Sequence, residues 1–293
     1  MDLSKYIGEG TLYDKKEKLE NYIRSIGYET TGLELKSDQA IIDQAIIDSY
    51  KQDEKKDLVS LIDIIEVTSK DGKYEEIDSD KLGMIEIGDT IGGNRDEEVK
   101  TDFLEVDYKM KTFGGFLNLS KEQIDDGMYN LDSFLGKSIA KLERKTMNKG
   151  IGKVLTLATA KSIASINDIK DLVALLNPER EVSIVVTNSL FNHLEKMVDS
   201  SGLPILKVNK VNGTSETFYT DHFVVVDDTT LGNAGDKLAF VGDLKNYAKL
   251  FKYNQTSVKW VTDFKTYSER LALYTRFDVK KVQPTLGYFA TWN

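Results

Sequence analysis

Apolar positions first recur at helical spacing near the N-terminus. Leu12, Leu19, Tyr22, Ile23 and Ile26 share one side of a helix predicted over 11–26, with Thr11 placed to cap its start and Gly27 just past its end. A second amphipathic stretch follows at 38–52, where Ile41, Ile42, Ala45, Ile46 and Ile47 recur about one turn apart. The two stretches read either as an N-terminal helical subdomain or as an arm that packs on neighbours.

Over 58–67 the apolar pattern tightens. The segment 68–101 is dense in charge and glycine, with short alternating pieces such as Met84-Ile85-Glu86-Ile87, and 103–110 then alternates apolar and polar as a strand does. Together these pieces predict a long two-stranded excursion with a polar middle. An isolated pair of strands is marginal in water, so the excursion needs something to lie against.

Ser120-Lys121-Glu122-Gln123 is a capping-box pattern, in which the serine and glutamine side chains each satisfy an orphan amide at a helix start. The strongest helix is predicted over 131–148, from Leu131, Phe134, Leu135, Ile139, Leu142 and Met147, and ends near Gly150 and Gly152. Beyond it the pattern is that of a compact α/β unit. Helices are predicted at 167–176 and 189–198, strands at 182–187, 222–226 and 238–242, a turn at Ser201-Gly202, and a short helix over 243–250 that Asp243 can cap. Two β runs, 256–262 and 271–282, return the chain to its end. No repeat at solenoid spacing and no low-complexity tract interrupts this order.

A chain of 293 residues, 40% apolar and 30% charged, is long enough to bury a proper core as one large domain or two modest ones. No stretch approaches the roughly 20 apolar residues of a membrane helix, so no membrane partner is expected. The start, Met1-Asp2-Leu3-Ser4-Lys5, lacks the basic and apolar regions of a secretory signal, and a cytoplasmic product is expected. The absence of cysteine removes disulfides, thiolate zinc sites and cysteine nucleophiles. With a net charge of -9 the surface as a whole repels nucleic acid, so any contact with DNA must be local or enforced.

Gly136-Lys137-Ser138 has the tail of a phosphate loop, but Leu131 stands where the leading glycine belongs and the segment falls inside a predicted helix. Gly150-Ile151-Gly152-Lys153 is followed by Val154 rather than the hydroxyl that would bind magnesium. Asp78-Ser79-Asp80-Lys81-Leu82-Gly83 resembles the start of a calcium loop with Asp89 twelfth, yet Leu82 occupies a ligand position and no helices flank it. His193 and His222 have no ligand spacing around them, and no Gly-x-Ser-x-Gly elbow supports a nucleophile. Asp125-Asp126 and Asp227-Asp228 read as caps or turns. No catalytic, cofactor-binding or metal residue is assigned, no cofactor is expected, and the chain is not read as an enzyme.

The order of elements resembles a known family. "FLEVDYKMKTFGGFLNLSKEQIDD" (103–126) is similar to the returning strand of the extended loop of tailed-phage major capsid proteins of the Hong Kong 97 type, followed by the start of their spine helix. "LVSLIDIIEVTSKDGKYEEI" (58–77) is similar to the outgoing strand of that loop. "VSIVVTNSLFNHLEKMVDSSGLPIL" (182–206) and "LAFVGDLKNYAKLF" (238–251) resemble parts of the axial domain, and "RFDVKKVQPTLGYF" (276–289) the closing strand of the peripheral domain. The resemblance runs from residue 58 to the end.

This resemblance implies an α+β capsid fold. Its parts would be an N-terminal helical arm (1–57), an extended β-hairpin loop and its base (58–110), a peripheral domain with the spine helix (111–154), an axial α/β domain (155–254) and C-terminal strands returning to the peripheral domain (255–293). Identical copies would form hexamers and pentamers of an icosahedral head around double-stranded DNA, held without sequence-specific contacts, with a portal protein. Family members often carry about a hundred N-terminal residues of removable scaffold. The shorter stretch here, beginning at Met1, points to a separate scaffold protein. Some members join subunits through a loop lysine; Lys70, Lys73 and Lys81 lie in the corresponding region, without an identified acceptor, and no cross-link is expected. The alternatives are an encapsulin-type compartment shell and, from a different class, an α/β hydrolase or ligand-binding domain over 155–250.

Overall fold

The computed structural model describes residues 40–43, 57–77, 103–118, 131–209, 214–218, 220, 222–253, 255–263 and 268–293. The expectations for 11–26, 78–89, 120–123 and Asp125-Asp126 lie outside the described residues.

Uninterrupted apolar runs build the first of two large sheets. Strands β7 (Ser183–Thr187) and β11 (Leu238–Gly242) are buried at every position, as strands covered on both faces are. Five strands align in the order β10 (His222–Val226), β7, β11, β15 (Gly287–Trp292) and β6 (Thr159–Ile163), and the short strands β8 (Val208–Asn209) and β9 (Thr214–Ser215) pair with each other. The period of two divides the side chains of the five between two cores. Ile184, Val186, Ala239 and Val241 pack with Ile169 and Leu172 of the helix Ile166–Ala174 and with Leu190 and Leu194 of the helix Asn188–Glu195. Val185, Leu238 and Phe240 face the other way, onto Met147, Ile151 and Leu155.

The helix starts are fixed by side-chain oxygens. Asp168 accepts the amides of Ala164 and Ser165 at 2.7 and 2.9 Å, and Ser165 returns a capping bond. Asp228 accepts both the hydroxyl and the amide of Ser189, joining the ends of β7 and β10. For Asp168 the two backbone amides, and for Asp228 the Ser189 hydroxyl and amide, hold the carboxyl below its ordinary value of 3.8. A depressed folded-state value gives stabilisation that is present above the unfolded value and lost as pH falls through the folded one. Denaturation midpoints should therefore drop steeply below about pH 4, and Asp228→Asn should flatten that drop while lowering stability at neutral pH.

The second sheet runs β1 (Ala40–Asp43), β13 (Gln255–Asp263), β14 (Ser268–Lys281), β12 (Ala248–Tyr253) and β2 (Asp63–Val67), with β5 (Lys111–Asn118) also on β14. Three expectations are corrected here. Ala40–Asp43 is a strand with Ala40 opposite Val258, not part of a helix. Asp243 does cap a helix, but it is a single turn, Leu244–Tyr247, and 248–253 is strand. The last strand, β15, lies between β11 and β6 in the five-stranded sheet, so 287–292 part company with the other C-terminal strands.

The helix Leu131–Leu155 ties the two sheets together over roughly 37 Å. It continues past the expected stop because Gly150 and Gly152 serve close packing rather than termination. A Cβ on Gly152 would collide with the Thr230 carbonyl oxygen, whereas one on Gly150 would meet the edge of the Phe277 ring at 2.9 Å. A backbone oxygen held in its own turn yields less readily than a ring edge. Gly152→Ala should thus destabilise by ~1–3 kcal/mol despite its better helix propensity, and Gly150→Ala should be near neutral; urea denaturation of both variants decides it.

Candidate assembly interface

The element that leaves the sheets is a hairpin of β3 (Asp71–Ile77) and β4 (Phe103–Lys109), paired from Asp71 opposite Lys109 to Ile77 opposite Phe103. The outgoing strand expected over 58–77 is a helical turn, Leu58–Leu61, followed by two strands. β2 runs parallel to β12, and after Thr68-Ser69-Lys70 the chain starts β3. Alternation gives the hairpin two faces. Tyr74, Glu76, Leu104, Val106 and Tyr108 are buried or half-buried, while Lys73, Glu75, Ile77, Phe103, Glu105 and Asp107 are exposed.

An aromatic clamp seats the inner face. Tyr108 stacks on Phe251 of β12 with centroids 4.8 Å apart and planes 13° apart, and Tyr74 meets the same ring edge-on at 5.5 Å. Met110 joins this cluster, with Ile65 and Val67 of β2 against it. Gly72 leaves the space over which the Tyr108 ring lies, since a Cβ there would press into that ring. The Tyr108 hydroxyl shares a 2.6 Å hydrogen bond with Ser69, and the Met110 amide donates to the Lys70 carbonyl at 2.8 Å.

Charge fixes the same root. Lys249, 3% exposed, donates to Asp63 at 2.8 Å and Glu76 at 2.9 Å. Burial opposes its charge, but the hydrogen bonds to Asp63 and Glu76 outweigh that and hold the ammonium above the ordinary lysine value. Buried Asp278 accepts the Lys109 amide at 3.0 Å, with the Lys280 ammonium 3.3 Å away. Behind the root, Glu143 of the long helix accepts from Lys252 at 3.0 Å and from the Thr256 and Thr275 hydroxyls at 3.2 Å, all on Oε1. The outer face carries a solvated Lys73–Glu105 pair at 3.0 Å, the exposed acids Glu75 and Asp107 and, at the far end of the described register, the apolar pair Ile77 and Phe103, 44% and 60% exposed.

The residues singled out in the sequence are dispersed. His193 lies 3.3 Å from the Lys237 ammonium and edge-on to Trp292, while His222 opens β10. Gly136-Lys137-Ser138 and Gly150-Ile151-Gly152-Lys153 lie within the long helix. Asp227 caps the turn Asp228–Leu231. Of the loop lysines, Lys73 faces Glu105 and Lys81 lies outside the described residues. Among the described residues no group of His, Asp and Glu could hold a metal, and no helix is long and apolar enough to cross a membrane. Sequence reading missed Phe251 and Lys249, which it placed in or beside a helix. No alternation marks them in the sequence, because β12 is buried on both faces and its lysines are part of the buried set.

This mixed helix-and-strand fold is that of Hong Kong 97-like phage capsid subunits. The model of the phage capsid family matches residues 41–285, and the chain belongs to that family. It is a capsid shell protein, a structural chain. No curated protein sequence matches it. Among solved structures, the capsid of an empty GTA particle is similar at 11% identity with a TM-score of 0.60, over 83% of this chain and 91% of that one. The Microbacterium phage Oxtober96 structure is similar at 11% identity with a TM-score of 0.56, over 93% and 98%. The holo-SrpI encapsulin complex from Synechococcus elongatus PCC 7942 is similar at 9% identity with a TM-score of 0.54, over 80% and 86%. At these identities the likeness is one of fold.

Proposed function

We propose that this chain is the major capsid protein of a tailed phage, made in the cytoplasm of a host bacterium. Its copies form hexamers and pentamers that close an icosahedral head around double-stranded DNA, with a separate scaffold protein and a portal protein as partners. The observation that carries this reading is the hairpin: rigidly rooted on its inner face, it holds Ile77 and Phe103 out to solvent. A neighbouring copy is the natural cover for such a pair, because a shell multiplies one modest contact over many identical subunits. In these terms 1–57 is the arm, 58–110 the extended loop and its base, 111–154 the peripheral part with the spine helix, and 155–254 the axial part, to which β15 is added.

The fold likeness to an encapsulin supports a second reading, a compartment shell that encloses protein rather than DNA. Nuclease-protected DNA in purified particles favours the head, and co-purifying protein cargo favours the compartment. The assembly contact is tested by Ile77→Asp with Phe103→Asp. Both side chains are exposed, so the monomer should keep its fold while the fast-sedimenting particles of the wild type disappear from sedimentation velocity profiles. Particles of unchanged yield would contradict the role given to the hairpin.

A further inference from the structure

One strip of this acidic molecule runs against its net charge. Lys137, Lys141, Lys145, Lys149 and Lys153 follow one another at four-residue intervals along the helix Leu131–Leu155, and all five are exposed. Four residues of α-helix rise ~6 Å and turn ~40° beyond a full circle, so the ammonium groups form a gently winding ridge ~24 Å long. Its middle members, Lys141, Lys145 and Lys149, share a face.

Among the described residues the strip is little compensated. Glu143 of the same helix is turned inward to Lys252, and Arg144 to Asp57. Among the described residues none of the five lysines forms an ion pair, although Lys145 acts electrostatically on Asp227. No large apolar side chain is exposed between 136 and 155. Protein–protein interfaces are depleted in lysine and centred on aromatic and apolar anchors, so the ridge has the wrong composition for a subunit contact. A linear polyanion suits it. Each strand of a DNA duplex offers a phosphate every ~3.4 Å of axis, and lysine binds phosphate as a point charge without reading bases.

We propose that this lysine ridge is the surface on which the shell holds the phosphate backbone of double-stranded DNA, an inference that rests on the head reading above. It makes the contact with DNA local, as a net charge of -9 requires, and indifferent to sequence.

The test compares full-length wild type, Lys141→Gln/Lys145→Gln/Lys149→Gln, and a control with the same charge change on the α/β unit, Lys170→Gln/Lys196→Gln/Lys207→Gln. Affinity for a short fluorescent DNA duplex is measured across salt, and assembly is followed by electron microscopy. At ~0.9 counterions released per phosphate contact, the ridge variant should lower the slope of log affinity against log salt by ~2.7. Over a fourfold rise in salt the wild-type affinity should then fall ~40-fold further than the variant's, with the control behaving as wild type. Equal slopes for wild type and ridge variant would overturn the inference. So would a ridge variant that loses its shells while binding DNA unchanged, which would make the ridge a subunit contact. If wild type itself forms no shells, the head reading fails, and that outcome is separate from equal slopes in a protein that does assemble.

Discussion

Phe251→Ala should free the hairpin from its sheet and stop assembly while leaving the α/β unit folded. The ring is fully buried and carries both Tyr108 and Tyr74. Truncating a buried phenylalanine costs ~3–5 kcal/mol, and each lost ring pair adds ~0.5–1.5 kcal/mol. Two strands without a supporting face are marginal, so the loss should concentrate in the hairpin. Hydrogen exchange should show protection collapsing over 71–77 and 103–109 while β7 and β11 remain protected. Unchanged protection in the hairpin would mean that Lys249 and Asp278 hold it without the aromatic clamp.

Glu143→Ala should produce a loss of comparable size, spread over the junction between the long helix and the six-stranded sheet. Its carboxylate is 5% exposed and Lys252 is 7% exposed. Removing one member of a buried pair costs ~3–5 kcal/mol, because the remaining charge keeps its desolvation penalty. The change also strips an acceptor from two buried hydroxyls and enlarges a cavity of about 30 Å³ lined by Ile139, Thr146 and Leu273. Glu143→Gln retains an acceptor and should lose less than Ala. Equal losses for the two, read from urea midpoints, would show that the charge rather than the hydrogen bonding dominates.

These two sites also show where the sequence was readable. β7 and β11 stood out because "SIVVT" and "LAFVG" are short apolar runs with punctuation on either side, and both faces of each strand are covered. The long helix was readable from its one-turn spacing, though not its end, since a glycine that permits close approach looks in sequence like one that stops a helix. "AKLFKY" was misjudged because Lys249 and Lys252, which read as solvent positions, are buried against Asp63, Glu76 and Glu143. Leu244, Tyr247, Ala248 and Phe251 then mimic a helical stripe. β3 was indicated by the resemblance of 58–77 to an outgoing loop strand and not by its periodicity, because Glu76 faces inward and spoils the clean alternation of a half-buried strand. β6, with the polar sequence "TAKSI", gains its strand state only from pairing with β15, residues far away in the chain. The ordered resemblance to capsid proteins carried the overall architecture. The hairpin's root and the lysine ridge on the long helix emerged only when distant residues were brought together.

Electron microscopy of the purified protein, alone and with the scaffold protein proposed as its partner, tests the central claim most directly. Closed particles of uniform diameter with icosahedral symmetry are predicted. Compact single molecules under every assembly condition, with the hairpin's outer face uncovered, would contradict it.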